Sequence, residues 1–586
     1  MITQAQAIGA RPSEPRAQHT SGGRATTQSQ LDEMVERLRG GAATFARLSL
    51  ADRIALARAM QAGYVRVARR SVEAACAAKG IPPGTSTAGQ EWAAGPWPVV
   101  RQLRLVAESL GSLDRTGNTP IGRVRSTADG RLAVRVFPSN TIDGVLFARI
   151  TVDVHFSVGV SEEAMHASRA GFYRGRAHDG RTVLVLGAGN LTAIPPMDII
   201  SKMFNEGKVC LLKVNPVNAY VGPVIEEAFA DAIRRNFLAV AYGGVPEGAY
   251  LVDHPGIDEI HLTGSDRTYD QIVWGPPGPE RDARRARNAP LVTKPVTAEL
   301  GNISPVLVVP GPYSDKELAF QAESIAGAVT HNASFNCNSP KMLVVPKGWD
   351  RRAALLAGIE RSLAVAPVRQ AYYPGAAERW HALTASRPGL RTIGGVAPGQ
   401  LPWTLVTGLD ATDTREPAFA TEPFCSILSE TEVGSDDPLE YLDRAVDFAN
   451  NRLWGTLAAD LIVHPKSLSD PRIADAVERA IARLRYGAVT VNSWTGYLFS
   501  LANPPWGAYP GSTMSDIQSG VGWVHNCAML EGQEKSVLRH PLTITPKPVT
   551  FPSHRTAHTL LRRLTILDER SSWARVPGVV VAAMRG

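Results

Sequence analysis

Two side chains in the middle of this 586-residue sequence have the chemistry of a covalent catalyst. Cys337 lies in the polar turn "NASFNCNS", just before the apolar run "MLVV". A cysteine there can be a buried packing residue, one arm of a disulfide or metal site, or a nucleophile. Glu299 lies upstream, where "TAELG" precedes the apolar run "ISPVLVV". It can be a general base if the fold brings it near the thiol, or otherwise a surface or ion-paired carboxylate.

The cysteine pattern narrows the roles open to Cys337. The five cysteines are far apart, odd in number and form no CxxC pair. Neither a disulfide framework nor a cysteine-rich zinc site fits this pattern, so we expect no metal. Free thiols persist in a reducing compartment, which predicts a cytoplasmic protein.

The composition is that of an ordinary soluble globular protein. Hydrophobic residues make up 44% of the chain, charged residues make up 20%, and the net charge is +7. No long basic run interleaves with aromatic residues, so nucleic acid is not an expected partner. No apolar run approaches the roughly 20 residues that a membrane span needs. Residues 1–30 are polar and lack the apolar stretch of a signal peptide, so we expect them to be disordered.

The periodicity of the chain predicts the elements that position these residues. Apolar residues recur at helical spacing from Leu31 to about Leu110. Farther on, "RTVLVLGAGN" is typical of a buried strand and tight turn, "PMDIISKMFNEG" of a helix, and "KVCLLKVNP" and "IDEIHLTGS" of further strands. This alternation predicts an α/β fold with a parallel, doubly wound sheet.

The first of these turns carries a weak nucleotide-binding signal. Gly187 and Gly189 lack the third glycine of the dinucleotide fingerprint, and the next strand ends in Lys213 rather than in an acidic residue that would hold a ribose. A lysine there can donate to ribose hydroxyls or to a phosphate. Taken alone, the stretch favours a solvated lysine.

The order of motifs resembles that of the NAD(P)-dependent aldehyde dehydrogenase superfamily from about Leu31 to Pro541. "AELGNISP" resembles the family segment E-L-G-G-K-S-P, and "NASFNCNSPKMLVV" resembles its nucleophile segment N-x-G-Q-x-C. The other similar segments are "YGGVPEGAYLVDHPGID", "IDEIHLTGS", "TEPFCSILSE", "FANNRLWGTLAADLIV", "YGAVTVNSW" and "PPWGAYPGS". Eight motifs in the family's order identify the superfamily, although no single motif does.

The resemblance implies a role for each matched residue. Cys337 would be the nucleophile, Glu299 would activate the hydrolytic water, and Asn190 would donate to the oxyanion. Asn140 is a rival for the last role, but its spacing to Lys213 is too long unless the intervening segment is inserted. The implied cofactor-binding residues are Lys213 at the adenosine ribose, Gly244 and Gly248 near the adenine, Gly264 and Ser265 at the pyrophosphate, and Glu422 and Phe424 at the nicotinamide ribose and ring.

The resemblance also implies the domain organisation of an aldehyde dehydrogenase. That fold has a Rossmann-type cofactor domain, an α/β catalytic domain and a small oligomerisation element. We place the cofactor domain at 31–295, with an inserted segment near 147–180, and the catalytic domain at 296–490. Residues 491–541 would return to the cofactor or oligomerisation region. The C-terminal extension at 542–586 and a Pro/Arg-rich loop at 274–290 fall outside the resemblance, and a helix in the extension would dock on the protein.

The implied reaction is oxidation of a small-molecule aldehyde to the acid, through a thioester on Cys337, in a homodimer or homotetramer. Pro216 stands where the family often has a glutamate that holds the adenosine ribose, which leaves NAD and NADP as alternatives. A coenzyme A-acylating dehydrogenase or acyl-CoA reductase is a second interpretation, and Glu299 argues against it because many acylating relatives lack that residue. A catalytically silent binding protein is a third. The joint presence of Cys337, Glu299, Asn190 and Lys213 speaks against it.

Overall fold

The computed structural model describes residues 25–175 and 178–586. Of the segment 1–30, positions 1–24 lie outside the described residues. The first helix begins at Gln28, where the side chain of Thr27 accepts a hydrogen bond from the backbone N–H of Gln30. The last part of the segment for which disorder is predicted therefore belongs to a capped helix.

Helices cover much of the described chain. They are α1 (Gln28–Ala46), α2 (Leu50–Ala78), α3 (Gly89–Ala93), α4 (Pro96–Thr116), α5 (Thr141–Leu146), α6 (Glu162–Ser168), α7 (Ile194–Ile200), α8 (Val221–Ala228), α9 (Ala230–Arg234), α10 (Val245–Asp253), α11 (Asp266–Val273), α12 (Pro279–Ala286), α13 (Asp315–Thr330), α14 (Arg352–Val365), α15 (Ala376–Thr384), α16 (Pro417–Ala420), α17 (Pro438–Asn451), α18 (Pro471–Arg483), α19 (Gly496–Leu501), α20 (Ala557–Glu569) and α21 (Val576–Met584). Within residues 25–175 and 178–586, no helix combines the length and apolarity needed to cross a bilayer.

The strands form two principal sheets. They are β1 (Val124–Ser126), β2 (Leu132–Phe137), β3 (Thr151–Phe156), β4 (Thr182–Leu186), β5 (Val209–Lys213), β6 (Leu238–Ala241), β7 (Glu259–Thr263), β8 (Val296–Glu299), β9 (Ser304–Val308), β10 (Pro340–Pro346), β11 (Leu390–Ile393), β12 (Trp403–Leu409), β13 (Ile427–Val433), β14 (Ala458–Ile462), β15 (Ala488–Val491), β16 (Pro505–Trp506), β17 (Gly520–Val521), β18 (Val524–His525) and β19 (Gln533–Arg539).

The smaller sheet is the doubly wound sheet that the sequence predicts. Its strand order is β17-β8-β7-β4-β5-β6, and all of its neighbouring pairs except β17 with β8 are parallel. Every residue of β4, β5 and β7 is buried. Parallel strands that are covered on both faces read as nearly continuous apolar runs, which is why these three were recognisable in the sequence.

The larger sheet has the order β1-β2-β3-β19-β15-β14-β9-β10-β13-β12-β11. Its strands from β19 to β12 run parallel, and the meander β1-β2-β3 adds to β19 in antiparallel fashion. Sheet membership differs from the predicted domain boundaries. β8, at the start of the segment 296–490, belongs to the smaller sheet, and β1–β3, inside the segment 31–295, belong to the larger one. A strand's local pattern does not specify its pairing partner, so this division was not readable from the sequence.

The C-terminal extension docks on the N-terminal helices. α20 buries Leu560, Leu561 and Leu564 against α3 and α4. Asp568 on the same face forms ion pairs with Arg101 and Arg104 at 3.1 and 2.8 Å. The predicted docked helix is therefore present, and a buried ion-pair cluster fixes its position.

Candidate active site

A cleft of about 2110 Å³ opens at the carboxyl ends of the parallel strands of the smaller sheet. Gly187 follows β4, Lys213 ends β5 and Thr263 ends β7, and all three line the cleft. Ligands of open α/β sheets bind at this edge. The structure brings every sequence-predicted site residue to the wall of this cleft: Asn190, Lys213, Gly244, Gly248, Gly264, Ser265, Glu299, Cys337, Glu422 and Phe424.

Cys337 and Glu299 face each other at the inner end of the cleft. Glu299 is the last residue of β8, and Cys337 lies in the turn that precedes β10. The thiol donates to Glu299 Oε1, with 3.7 Å between Sγ and Oε1. Burial, and next the negative charge of Glu299, raise the pKa of Cys337 well above its usual value, while Lys341 opposes this shift. The free thiol is therefore protonated at neutral pH, and its proton points at the carboxyl group of Glu299.

Glu299 is itself a perturbed acid. Burial, and next the charge of Asp198, raise the pKa of Glu299 to about 8. The nearby Trp506 indole and Cys337 thiol oppose the shift. A carboxyl group with a pKa near neutrality can both hold and release a proton under physiological conditions, which suits a general base.

The turn before Cys337 is conformationally constrained. Asn332, Ala333 and Ser334 have φ values of 53°, 54° and 69°, in the left-handed region that residues with a side chain rarely adopt. Ser334, in place of the family's glycine, thus keeps a conformation that glycine favours. The Asn332 amide donates to the carbonyl oxygen of Phe335 at 3.0 Å. Such strain persists where the surrounding contacts over-determine the backbone, and it fixes the direction of the thiol.

Asn190 is held beside this turn from both of its ends. Its side-chain Nδ2 donates to the carbonyl oxygen of Phe335 at 2.9 Å, and an amide nitrogen has a second N–H. The backbone carbonyl oxygen of Asn190 accepts from Lys79 Nζ at 3.2 Å and from Tyr372 Oη at 3.0 Å. Asn140, the rival for the oxyanion role, instead caps α5 by accepting from the N–H of Asp143.

A buried ion pair that sequence reasoning missed supports this arrangement. Lys79, the residue after α2, pairs with Glu91 of α3 at 2.9 Å, and both side chains are buried. Lys79 Nζ also donates to Asn332 Oδ1 at 3.0 Å, as does the hydroxyl of Tyr372 at 2.9 Å. No spacing in the sequence links α2, α3 and residue 372. The only available signal was Asn332, which is the first residue of the nucleophile motif.

The outer part of the cleft, which is lined by Lys213, Gly244, Gly248, Gly264 and Ser265, presents an ammonium group that has no partner among the described residues. Within residues 25–175 and 178–586, no acceptor lies within hydrogen-bond distance of Lys213 Nζ. Burial lowers the pKa of Lys213 to about 8, against the opposing charge of Glu247. Ser265 caps α11 by accepting from the N–H of Thr268. Gly248 has no atom within 4 Å of the place where a Cβ would stand, so the wall there is open. An unpaired ammonium group beside a glycine-lined wall fits an anionic or hydroxyl-rich ligand such as a dinucleotide.

Glu422 and Phe424 also line the cleft. Glu422 Oε1 lies 3.1 Å from Lys341 Nζ, which also donates to the carbonyl oxygen of Cys337 at 3.2 Å. Phe424 has a φ of 41°, and its ring contacts Tyr373 with 4.9 Å between centroids. The adjacent Cys425 is fully buried, and burial raises its pKa to about 12, so it is a packing residue rather than a second reactive thiol.

Comparison with known proteins agrees with this architecture. No protein-family model matches the chain. A segment of 160 residues is 26% identical to the aldehyde dehydrogenase LUC3 of a Fusarium species, and it spans 27% of this chain and only 31% of that relative.

Solved structures match over a much larger part of the chain. The NADP-dependent glyceraldehyde-3-phosphate dehydrogenase of Bacillus halodurans, complexed with NADP, has a TM-score of 0.58 and 17% identity, with 88% of this chain and 92% of that chain covered. Aldehyde dehydrogenase 21 of Physcomitrella patens, in complex with the product succinate, has a TM-score of 0.57 and 13% identity over 89% and 92%. The NAD-dependent aldehyde dehydrogenase of Sinorhizobium meliloti has a TM-score of 0.55 and 18% identity, with 89% of this chain and 88% of that chain covered. The fold of this chain is that of the NAD(P)-dependent aldehyde dehydrogenase superfamily.

Proposed function

We propose that this protein oxidises an aldehyde to a carboxylic acid with NAD or NADP, through a thioester on Cys337. The observation that carries the proposal is the contact of 3.7 Å between Cys337 Sγ and Glu299 Oε1 at the inner end of the cleft. A thiol directed at a carboxylate whose pKa is about 8 provides both a nucleophile and its base.

The first step joins the thiol to the aldehyde. Glu299 accepts the thiol proton, and the sulfur of Cys337 attacks the carbonyl carbon. The second N–H of the Asn190 amide and the backbone N–H of Cys337 stabilise the oxyanion. Oxidation of this adduct to a thioester needs a hydride acceptor, and the nicotinamide ring supplies that acceptor when it is bound.

The second step hydrolyses the thioester. Glu299 takes a proton from water as the water oxygen attacks the thioester carbon, and the bond from carbon to sulfur breaks. The thiolate of Cys337 leaves and regains a proton. Because Glu299 must be ionised to act as a base, we expect hydrolysis to accelerate as the pH rises towards about 8.

The residues of the outer cleft are suited to hold the dinucleotide. Lys213 would donate to the adenosine ribose or to a 2′-phosphate, and Gly264 and Ser265 would lie at the pyrophosphate. Gly244 and Gly248 would lie near the adenine. Support for both cofactors comes from the similar structures, which include complexes with NADP and an enzyme described as NAD-dependent.

We further propose a cytoplasmic homodimer or homotetramer that acts on a small-molecule aldehyde. Sedimentation of the purified chain tests the assembly, and a clean monomer would contradict it.

The test of the reaction is an assay of reduced cofactor formation over a panel of short-chain, long-chain and carboxylate-bearing aldehydes. Each aldehyde is offered with NAD+ and with NADP+, with and without coenzyme A, and the products are separated by mass spectrometry. The proposal predicts formation of the free acid without coenzyme A. Turnover that requires coenzyme A and yields the acyl thioester would instead indicate the acylating alternative.

A further inference from the structure

The helix α21 near the end of the chain exposes apolar side chains to solvent. Its sequence is "VPGVVVAAM", which contains no polar side chain. Val576, Val579 and Ala582 are buried, and they belong to the cluster that holds Leu560 and Leu564 of α20. A helix that is apolar on every side is normally buried on every side. Only one side of α21 is covered by the protein, so its other side needs an explanation.

The uncovered side of α21 is a continuous apolar stripe. Its exposed residues Pro577, Val580, Val581 and Met584 are spaced by three, one and three positions, which places them on one side of a helix. Val580, Val581 and Met584 are 41%, 45% and 61% exposed. Trp573, four residues before Pro577, is 54% exposed. These five residues form what we call the apolar face.

Exposed apolar side chains are concentrated around this face. Among the described residues, five of the fourteen exposed large hydrophobic side chains lie between positions 566 and 584. One of them is Ile566 of α20, which is 38% exposed. The neighbouring helix α5 contacts α21, and its Val145 is 56% exposed. Such a concentration marks an interaction surface, whereas singly scattered apolar residues do not.

The same segment carries an excess of positive charge. Positions 555–586 contain six arginines and two acidic residues. Asp568 is buried and forms ion pairs with Arg101 and Arg104. Glu569 lies 3.6 Å from Arg575. Both carboxylates therefore already have a cationic partner, and the remaining arginines are not neutralised.

Three of these arginines border the exposed apolar residues. Arg562 and Arg570 lie one helical turn before and after Ile566, and Arg585 follows Met584 directly. All three are exposed. Within residues 25–175 and 178–586, none of their guanidinium groups has a hydrogen-bond or ion-pair partner. The surface thus combines an apolar centre with cations that are free to bind an anionic group.

The charge distribution distinguishes between the possible occupants of this surface. A twofold contact between two copies of the chain would place the surface against itself and bring arginines close to arginines. A bilayer that contains anionic lipids offers an apolar boundary for valine and methionine, and phosphate groups for arginine. Tryptophan is enriched at the level of the lipid head groups. The combination of Trp573, an aliphatic stripe and unpaired arginines therefore fits an anionic lipid surface.

We propose that the apolar face, together with Arg562, Arg570 and Arg585, binds the protein to the surface of an anionic lipid bilayer. α21 has nine residues, which is too short to cross a bilayer, so it lies in the plane of the interface. Trp573, Val580 and Met584 enter the boundary between head groups and hydrocarbon, and the arginines contact lipid phosphates. The binding is independent of the reaction at Cys337.

Flotation of the full chain with lipid vesicles tests this proposal. One set of vesicles contains equal parts of phosphatidylcholine and phosphatidylglycerol, and the other contains phosphatidylcholine alone. We expect the wild type to bind the anionic vesicles at least about tenfold more tightly than the neutral ones. High salt should remove most of this difference, because it screens the attraction between arginine and phosphate.

Two double variants separate the apolar contribution from the charged one. Val580→Ser with Val581→Ser should weaken binding to anionic vesicles by about tenfold, because two apolar side chains no longer leave water. Arg562→Gln with Arg570→Gln should weaken it by about tenfold as well, and on anionic vesicles only. The melting temperature of each variant should stay close to that of the wild type, since the replaced side chains are exposed. Trp573→Ser should act like the valine variant if that variant fails to fold.

A matched control comes from two exposed valines elsewhere on the surface. Val365 and Val396 are 65% and 55% exposed, and Val365→Ser with Val396→Ser should not change binding. Equal binding by the wild type and the variant of Val580 and Val581 would overturn the proposal, and so would a wild type that floats with neither set of vesicles. A wild type that does not float, and whose assembly in sedimentation becomes smaller in that variant, would instead assign the face to a contact between copies. Equal flotation with both sets would overturn the role of the arginines.

Discussion

The inner and outer parts of the cleft differ in how far the protein has already satisfied its own polar groups. At the inner end, Lys79, Asn332 and Lys341 all donate to backbone or side-chain oxygens around the nucleophile turn. In the outer part, Lys213 reaches the cleft with no acceptor among residues 25–175 and 178–586. The inner end is organised for chemistry before any ligand arrives, whereas the outer part leaves a donor for a ligand to use.

This contrast gives different expectations for substitutions in the two parts. Substitutions at the inner end should lower the rate of chemistry or the stability of the fold, because they break contacts that exist in the free protein. Substitutions in the outer part should weaken cofactor binding and leave the fold unchanged, because the contacts they remove form only with a ligand.

Removal of the nucleophile should have the largest effect. Cys337→Ala should lower turnover by at least about 10⁴-fold, because no other group of the turn can form the thioester. Its melting temperature and its binding of NAD+ or NADP+ should stay close to those of the wild type. Cys425→Ala is the control, since it removes a second thiol that is fully buried, and it should retain turnover. Activity in Cys337→Ala but not in Cys425→Ala would identify Cys425, and not Cys337, as the nucleophile.

Breaking the buried ion pair of Lys79 with Glu91 should lower the stability of the fold more than any other of these substitutions. Lys79→Met leaves Glu91 buried and unpaired, and the free energy of unfolding in urea should fall by about 3–5 kcal/mol. The double variant Lys79→Met with Glu91→Leu should recover part of the loss, because no charge is then left unpaired. Arg70→Met breaks the exposed pair of Arg70 with Glu227 and should not change stability measurably. An equally small effect of Lys79→Met would show that the inner end is not held by this pair.

Glu299→Gln should separate the two halves of the reaction. The amplitude of the burst of reduced cofactor should remain, although the burst should form more slowly because the thiol has lost its base. Acid release should slow by about 10²-fold, because the amide cannot deprotonate water. The steady state of the wild type should rise with pH through about 8, and that of the variant should be flat. An unchanged steady-state rate in the variant would remove Glu299 from the mechanism.

The pH dependence of stability gives a second test of the raised pKa of Glu299. Because the fold raises the pKa of Glu299 from 4.5 to about 8, the protonated form is favoured in the folded state. The stability that the protonated Glu299 contributes is fully present below its unfolded pKa of 4.5. It is lost as the pH rises through about 8. The free energy of unfolding of the wild type should therefore fall over this range, relative to that of Glu299→Gln. A constant difference between the two would contradict the raised pKa.

The sequence predicted the groups that act through motifs, and it missed those that act through packing. Cys337, Glu299 and Lys213 were recognisable because each stands at the end of an apolar strand or just before one, in an order shared with a known family. Lys79 and Tyr372 come from segments with no such pattern, and only the fold brings them to Asn190. That β8 belongs to the smaller sheet was missed for a similar reason, since strand pairing is a tertiary property.

Substitution of Lys213 should have the smallest effect on activity, and the effect should be confined to cofactor binding. Lys213→Met should raise the KM for the cofactor by about tenfold and leave kcat nearly unchanged, because its proposed contact is with the adenosine half of the cofactor and not with the reacting atoms. The exposed Lys316→Met is the control for loss of one positive charge and should change neither constant. A larger loss with NADP+ than with NAD+ would place Lys213 at a 2′-phosphate, and an equal loss would place it at the ribose hydroxyls. A fall in kcat with an unchanged KM would break the contrast between the two parts of the cleft, because the outer lysine would then contribute to chemistry.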